Sequence, residues 1–294
     1  MTQAQEALSP IEGAAATEEV AGGDLLGQEA TPEHFVRFSF VERVQHFFLM
    51  ISFVMLVTTG LPQRFSTTPW AEWIVLHLGG IDTTRALHRI FAVVMITVAV
   101  LHVLSLVVSL VRGRLRPSMV PSLRDFQDVF QEVRYSLGLT DEHPHFDRFE
   151  YRQKFEYWGI IFGTVVITVT GLILWFPVTF TQFLPGEVVP AAREAHGGEA
   201  LLALLTIVFW HLYGVLLSPL TFPGDTSIFT GRVSRERMIR EHPREYARIL
   251  AEQRAAAEEA RRAAAAAAVE AAAAAERALS EEAPQGGRSP PENG

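Results

Sequence analysis

Four long apolar segments with histidines inside them or at their mouths constrain this chain more than any other feature of it. The segments run from Val44 to Leu61, Ile90 to Val111, Trp158 to Phe176 and Leu201 to Leu220. Each is near the roughly 20 residues a helix needs to cross about 30 Å of hydrocarbon. His46 opens the first, His88 and His102 lie 14 apart on the second, and His196 and His211 lie 15 apart on the fourth. An imidazole in lipid is costly unless a partner satisfies it, so a histidine there is a functional hypothesis by default. At about 1.5 Å rise and about 100° per residue, each pair is separated by roughly 21 to 23 Å on one helix face. Two helices that each carry a histidine near either surface can clamp two stacked planar cofactors. Haem b, held by axial imidazoles without a covalent link, fits that demand.

The sequence contains no cysteine. Disulfides, thiolate zinc sites, iron–sulfur clusters and CxxCH attachment of c-type haem are therefore excluded from this chain, and any such chemistry belongs to a partner. Apolar residues make up 49% of the chain, and the formal net charge of -8 comes from acidic residues concentrated in the tails and one connecting loop. No basic face for nucleic acid results. The N-terminus lacks a basic start followed by an apolar run, so the first spanning helix is expected to act as its own insertion signal.

Arginine and lysine set the expected orientation. The stretch between Arg112 and Lys154 carries eight basic residues and the tail after Leu220 carries eleven, while the connection after the third segment has only Arg193. Basic connections stay in the cytoplasm, which places both termini and the long middle loop inside. The localisation that follows is a bacterial inner membrane, crossed four times. His88 and His196 then lie at the outer face, and His46, His102 and His211 near the inner one.

The expected organisation is a disordered acidic tail over 1–33, a four-helix transmembrane domain over 34–233, an Ala/Arg/Glu-rich cytoplasmic helix over 234–280 and a disordered end over 281–294. Within the domain the helices are placed at about 44–61, 88–111, 158–176 and 199–220. Pro69, Trp70 and Trp73 suit a headgroup-level connection. Leu123, Phe126, Phe130, Val133 and Leu137 recur at helical spacing and predict an amphipathic helix over about 122–137, lying on the membrane surface or packed on the bundle.

Axial ligation of two haems by His46, His88, His196 and His211 stands against ordinary hydrogen bonding within a bundle, and histidines at two matched depths favour ligation. Arg43, Arg85 and Arg89 flank the proposed ligands and match the geometry of haem propionates. Gly159 and Gly163 form a GxxxG spacing that helix packing explains. His34, His77 and His242 read as solvated, and His143 and His145 as a pair that nothing nearby completes into a metal site.

At these residues the sequence resembles the di-haem cytochrome b subunits that anchor formate dehydrogenases and nickel–iron hydrogenases. It more closely resembles the bacterial cytochrome b proteins associated with multihaem c-type cytochromes. The landmarks are RVQHFFLMISFVMLVTTGLP, ALHRIFAVVMITVAVLH, YRQKFEYWGIIFGTVVITVTGLILWFP, and AHGGEALLALLTIVFWHLYG followed by REHPREY. The resemblance implies that His46 pairs with His211 at the inner haem and His88 with His196 at the outer one. His102 is left over: a replacement for His46, a ligand to a third haem, or part of a quinone pocket.

The resulting expectation is an all-α, four-helix transmembrane bundle carrying two haems b. By resemblance it passes electrons between a membrane quinone, menaquinone or ubiquinone, and a redox subunit. That subunit is a multihaem cytochrome c, an iron–sulfur protein or a dehydrogenase. It is expected to be part of a quinone-linked oxidoreductase rather than an enzyme by itself. His102, Lys154 and Glu156 are the candidates for proton exchange with the quinone. A transporter or structural anchor with a histidine-lined interior is the alternative, and it would want more intramembrane carboxylates than the four segments display.

Overall fold

The computed structural model describes residues 32–113, 117–219 and 221–282. Of the tails expected over 1–33 and 281–294, residues 1–31 and 283–294 lie outside the described residues. Among the described residues, four helices are long and apolar enough to cross a membrane: α1 (Phe40–Arg64), α3 (Ile81–Val111), α5 (Tyr151–Trp175) and α6, which begins at Val188 and runs to Leu217. A short helix α2 (Pro69–His77) joins α1 to α3. Gly79 and Gly80 both take positive φ between α2 and α3, a conformation that costs glycine little.

The helices begin earlier than the apolar segments do, and at α1 and α5 a side-chain cap fixes a first turn that hydropathy discounts. Ser39 accepts a hydrogen bond from the Glu42 amide, and the Glu42 carboxylate accepts one from the Ser39 amide at 2.7 Å. Glu150 and Gln153 close the same reciprocal arrangement at the start of α5. Each cap satisfies amides that the first helical turn leaves without partners.

α1 packs along α3, and α5 along α6, giving two antiparallel hairpins that meet chiefly through α1 and α6. His46 and His211 therefore fall at the end of the bundle where α1 begins and α6 finishes, here called the terminal end, and His88 and His196 at the opposite end.

The terminal end is closed by a polar cap. Strand β1 (His34–Val36) pairs antiparallel with β2 (Arg232–Ser234), His34 opposite Ser234. Phe35, Val233 and Met238 form a small core beneath that ribbon, with Tyr246 and Ile249 against it. Arg37 and Arg148 each reach Glu245 at 3.3 Å, and Arg148 also donates to the Arg37 carbonyl. The buried Glu245 carboxylate is thus paired on both oxygens, as burial of a charge requires.

The amphipathic helix α4 (Leu123–Ser136) turns its polar side to this cap. Lys154 reaches Asp125 at 2.7 Å and Arg244 reaches Asp128 at 3.6 Å, while Leu123, Phe126 and Phe130 stay exposed. The stretch after Ser234 forms two helices, α7 (Arg235–Glu241) and α8 (Pro243–Glu282), where one was expected. Pro243 has no amide to continue the α7 ladder and is favoured at the first turn of a new helix.

Candidate functional site

The fourth spanning helix departs from α geometry where it delivers its second histidine. It is α-helical from Val188 to Thr206, then π-helical over Ile207–His211 and Tyr213–Leu217. In a regular α-helix the 15 residues from His196 to His211 overshoot whole turns by about 60°. A π turn holds more residues and rotates less per residue, so it takes part of that overshoot back.

The bundle brings the histidines together in two pairs. The rings of His46 and His211 face each other with centres 6.2 Å apart and planes inclined 35°. Those of His88 and His196 also stand 6.2 Å apart, inclined 66°. A metal ion between two imidazoles requires about 2 Å for each metal–nitrogen bond and about 1.1 Å from nitrogen to ring centre, roughly 6.2 Å in all. Both pairs have that separation, so the donor set fits bis-imidazole ligation of a haem iron. Among the described residues no cluster of three or more His, Cys, Asp or Glu side chains could cage a bare ion.

The hydrogen bonds of these rings determine which nitrogen is available. His196 Nδ1 lies 3.1 Å from the Ile167 carbonyl, which can only accept, so Nδ1 carries the proton and Nε2 keeps its lone pair. Nδ1 of His88 lies 2.9 Å from the Thr59 hydroxyl oxygen. At the terminal end the partner is a carboxyl group: Glu156 Oε1 lies 2.9 Å from His211 Nδ1, a close polar contact rather than an aligned hydrogen bond.

His102 is placed differently. Its Nδ1 contacts Gln45 Oε1 at 3.1 Å and its Nε2 contacts the Tyr157 hydroxyl at 2.9 Å, so both ring nitrogens are engaged by protein groups. The flanking arginines are also partly committed. Arg43 donates through Nη2 to the Phe229 carbonyl, while its buried Nε has no hydrogen-bond partner among the described residues. Arg89 lies over the Trp175 ring, 5.5 Å from its centre. Lys154 is held by Asp125, which leaves Glu156 as the proton-exchange candidate beside a facing histidine.

Glu156 also lines a cleft of about 290 Å³ with Phe155, Leu205, Thr206, Phe209 and Trp210. The cleft lies on the flank of the bundle, since Phe155 and Phe209 are both more than 70% exposed.

Sequence reasoning missed Thr59, Thr170, whose hydroxyl oxygen lies 3.1 Å from His196 Nδ1, and Glu199. The carboxylate of Glu199 packs where Gly163 has no Cβ, so this half of the GxxxG spacing makes room for a polar side chain inside the bundle. Carboxylates on the spanning helices are therefore not lacking, although neither Glu156 nor Glu199 falls inside the strictly apolar windows by which the segments were recognised. A histidine-to-threonine contact across two helices leaves no spacing signature in the sequence.

Of the remaining histidines, His77 stacks on Trp73 with ring centres 4.1 Å apart, and His143 contacts Glu132 at 3.3 Å. His242 is buried rather than solvated and bonds the Asp147 carbonyl at 2.8 Å.

Comparison with known proteins matches residues 31–228 to the family described as prokaryotic cytochrome b561. The cytochrome b556(Fdn) subunit of the nitrate-inducible formate dehydrogenase of Escherichia coli K12 is 26% identical over 214 residues, covering 73% of this chain and 91% of that subunit. The cytochrome b556(fdo) subunit of formate dehydrogenase from the same strain is 26% identical over 219 residues, covering 73% of this chain and 92% of that subunit.

Proposed function

The chain belongs to the prokaryotic cytochrome b561 family, and from that premise we propose that this membrane cytochrome b relays electrons through two haems b stacked across the bilayer. It is an integral membrane protein of electron transfer, and the family implies haem b. The observation that carries the count of two is the pair of facing imidazoles at each end of the bundle, both at 6.2 Å. His46 and His211 would hold the haem at the terminal end, and His88 and His196 the one at the opposite end. Each bound haem would supply a one-electron ferric/ferrous couple.

The chain's own residues supply position and protons. The Nδ1 contacts of His88, His196 and His211 orient three of the four rings and raise their basicity as ligands. Arg43, with a buried Nε still free to donate, is suited to a propionate at the terminal end, and Arg89 to one at the other.

The second substrate in this reading is a quinone, bound in the cleft beside Glu156. A flank opening admits a lipid-soluble molecule sideways, and the aromatic walls suit a planar ring. Glu156 can take or give the proton that accompanies each electron, and it already touches the ring of His211. The quinone proton would thus exchange next to the electron path.

The terminal end is proposed to face the cytoplasm, on the distribution of basic residues. The redox partner is proposed to be a separate subunit, since the two relatives are each named as subunits of formate dehydrogenases. A multihaem cytochrome c, an iron–sulfur protein or a dehydrogenase could meet that description, at the end carrying His88 and His196.

The test is a dithionite-reduced minus oxidised spectrum of the purified protein with haem quantitation, repeated for His46→Ala and His88→Ala. Two haems b per chain, with one lost in each variant, are expected. A haemless protein from cells able to make haem overturns the assignment.

A further inference from the structure

His88 and His196 are held by one device used twice. Thr59 is fully buried on α1, and its hydroxyl donates to the Met55 carbonyl at 2.7 Å. Thr170 on α5 donates in the same way to the Val166 carbonyl at 2.7 Å. A hydroxyl has one proton, and giving it to the carbonyl four residues back leaves the oxygen to accept. Facing those oxygens are Nδ1 of His88, at 2.9 Å, and Nδ1 of His196, at 3.1 Å. His88 then presents Nδ1–H to Thr59, His196 shares its Nδ1–H between Thr170 and the Ile167 carbonyl, each at 3.1 Å, and both rings keep Nε2 unprotonated.

The glycine after each threonine completes the device. A Cβ at Gly60 would stand 3.0 Å from Cε1 of His88, and one at Gly171 would stand 3.1 Å from Cε1 of His196. Each would stand 3.5 Å from the corresponding Nδ1. The tripeptide Thr-Gly-Leu occurs at both places, 59–61 and 170–172. The first hairpin thus cradles His88 as the second cradles His196, with the same residue types at distances that agree within 0.2 Å. At the terminal end the contact to His211 Nδ1 is a carboxylate instead.

We propose that Thr59 and Thr170 are positioning residues for the haem at the end carrying His88 and His196. Each holds the ring plane of its ligand and sets how strongly the imidazole donates to iron, Thr59 through its hydroxyl oxygen and Thr170 together with the Ile167 carbonyl. This rests on the ligand assignment above and adds a second function to it: the reduction potential of one haem is tuned separately from that of the other. A hydrogen-bond acceptor on Nδ1–H increases the ligand's basicity, which favours the ferric state.

The experiment is a spectroscopic redox titration of the whole purified protein as Thr59→Val, Thr170→Val, Thr59→Ser and Thr170→Ser. Valine keeps the branched shape and removes the hydroxyl oxygen, leaving His196 the Ile167 carbonyl as its acceptor, so the smaller shift is expected at Thr170→Val; serine restores the hydroxyl. The expected result is an upward shift in the midpoint potential of the haem that is absent from His88→Ala, returned toward wild type by serine, with the other haem unmoved. If valine expels that haem and serine retains it, the hydroxyl is again required and the proposal stands.

A retained haem with unchanged potential in both valine variants overturns it, as does an equal shift of both haems. The two levels separate cleanly. Should His88→Ala keep both haems, the ligand assignment itself fails; should it lose one while the valine variants titrate like wild type, only the threonine role fails.

Discussion

Glu156 Oε1 lies 2.9 Å from Nδ1 of His211, and the same carboxylate lines the cleft on the flank of the bundle. A proton-exchanging group thus touches a proposed iron ligand on one side and a lipid-accessible cleft on the other. Glu156→Gln keeps the shape and removes the charge. Both haems are expected to remain while quinol-linked reduction of the haems slows by about a hundredfold, the lower range for loss of a positioned acid or base. Stopped-flow reduction with a quinol analogue measures it, and unaltered kinetics would place the quinone elsewhere.

His102 makes contacts at both ring nitrogens, to Gln45 and Tyr157. His102→Ala is therefore expected to leave two haems per chain and to cost about 0.6 to 2 kcal/mol, the range for polar contacts between membrane helices. Pyridine haemochrome quantitation and thermal inactivation check it. Loss of a haem would move His102 into the ligand set.

The close approach of Gly60 to His88 and of Gly171 to His196 predicts a position-specific defect. Gly60→Val or Gly171→Val should push the imidazole off its axis and reduce haem to one per chain, sparing the terminal-end pair. Gly159→Ala is the control, since a Cβ there meets no atom within 4 Å. Equal haem content in all three variants would show that the rings can shift without consequence.

The cap at the terminal end carries a pH dependence with a definite sign. Burial first, and then the nearby Arg37 guanidinium, lower His242 from 6.5 to about 3. Arg237 adds to that effect, whereas the Asp147 carbonyl and Asp225 oppose it. Between those values the undocked ring takes a proton that the docked ring refuses, so docking is strongest above about pH 6.5 and weakens as pH falls toward about 3. The slope is at most about 1.4 kcal/mol per pH unit. Proteolysis at the α7–α8 junction should accelerate as pH falls through that window, and His242→Gln should flatten the profile. Parallel profiles for the two proteins would be evidence against it.

The spanning helices were legible in the sequence because crossing hydrocarbon demands about 20 consecutive apolar residues, a local signal. Their first turns were not, because Ser39 with Glu42 and Glu150 with Gln153 continue each helix through polar side chains that hydropathy discounts. The histidines stood out for the same reason that the helices did: polar rings in apolar runs are conspicuous.

By itself, then, the sequence determined that this chain has four segments long and apolar enough to cross a membrane, carries no thiol chemistry and bears histidines near both ends of those segments. Family resemblance added a pairing, and the tertiary structure decided what each ring touches. Thr59 meets His88 and Glu156 meets His211 only because separate helices pack side by side. Such contacts depend on helix rotation, on π turns that shift His211 around its axis, and on glycines that let a ring approach a backbone. Rotation and approach are set by packing among all four helices, and no single segment encodes them.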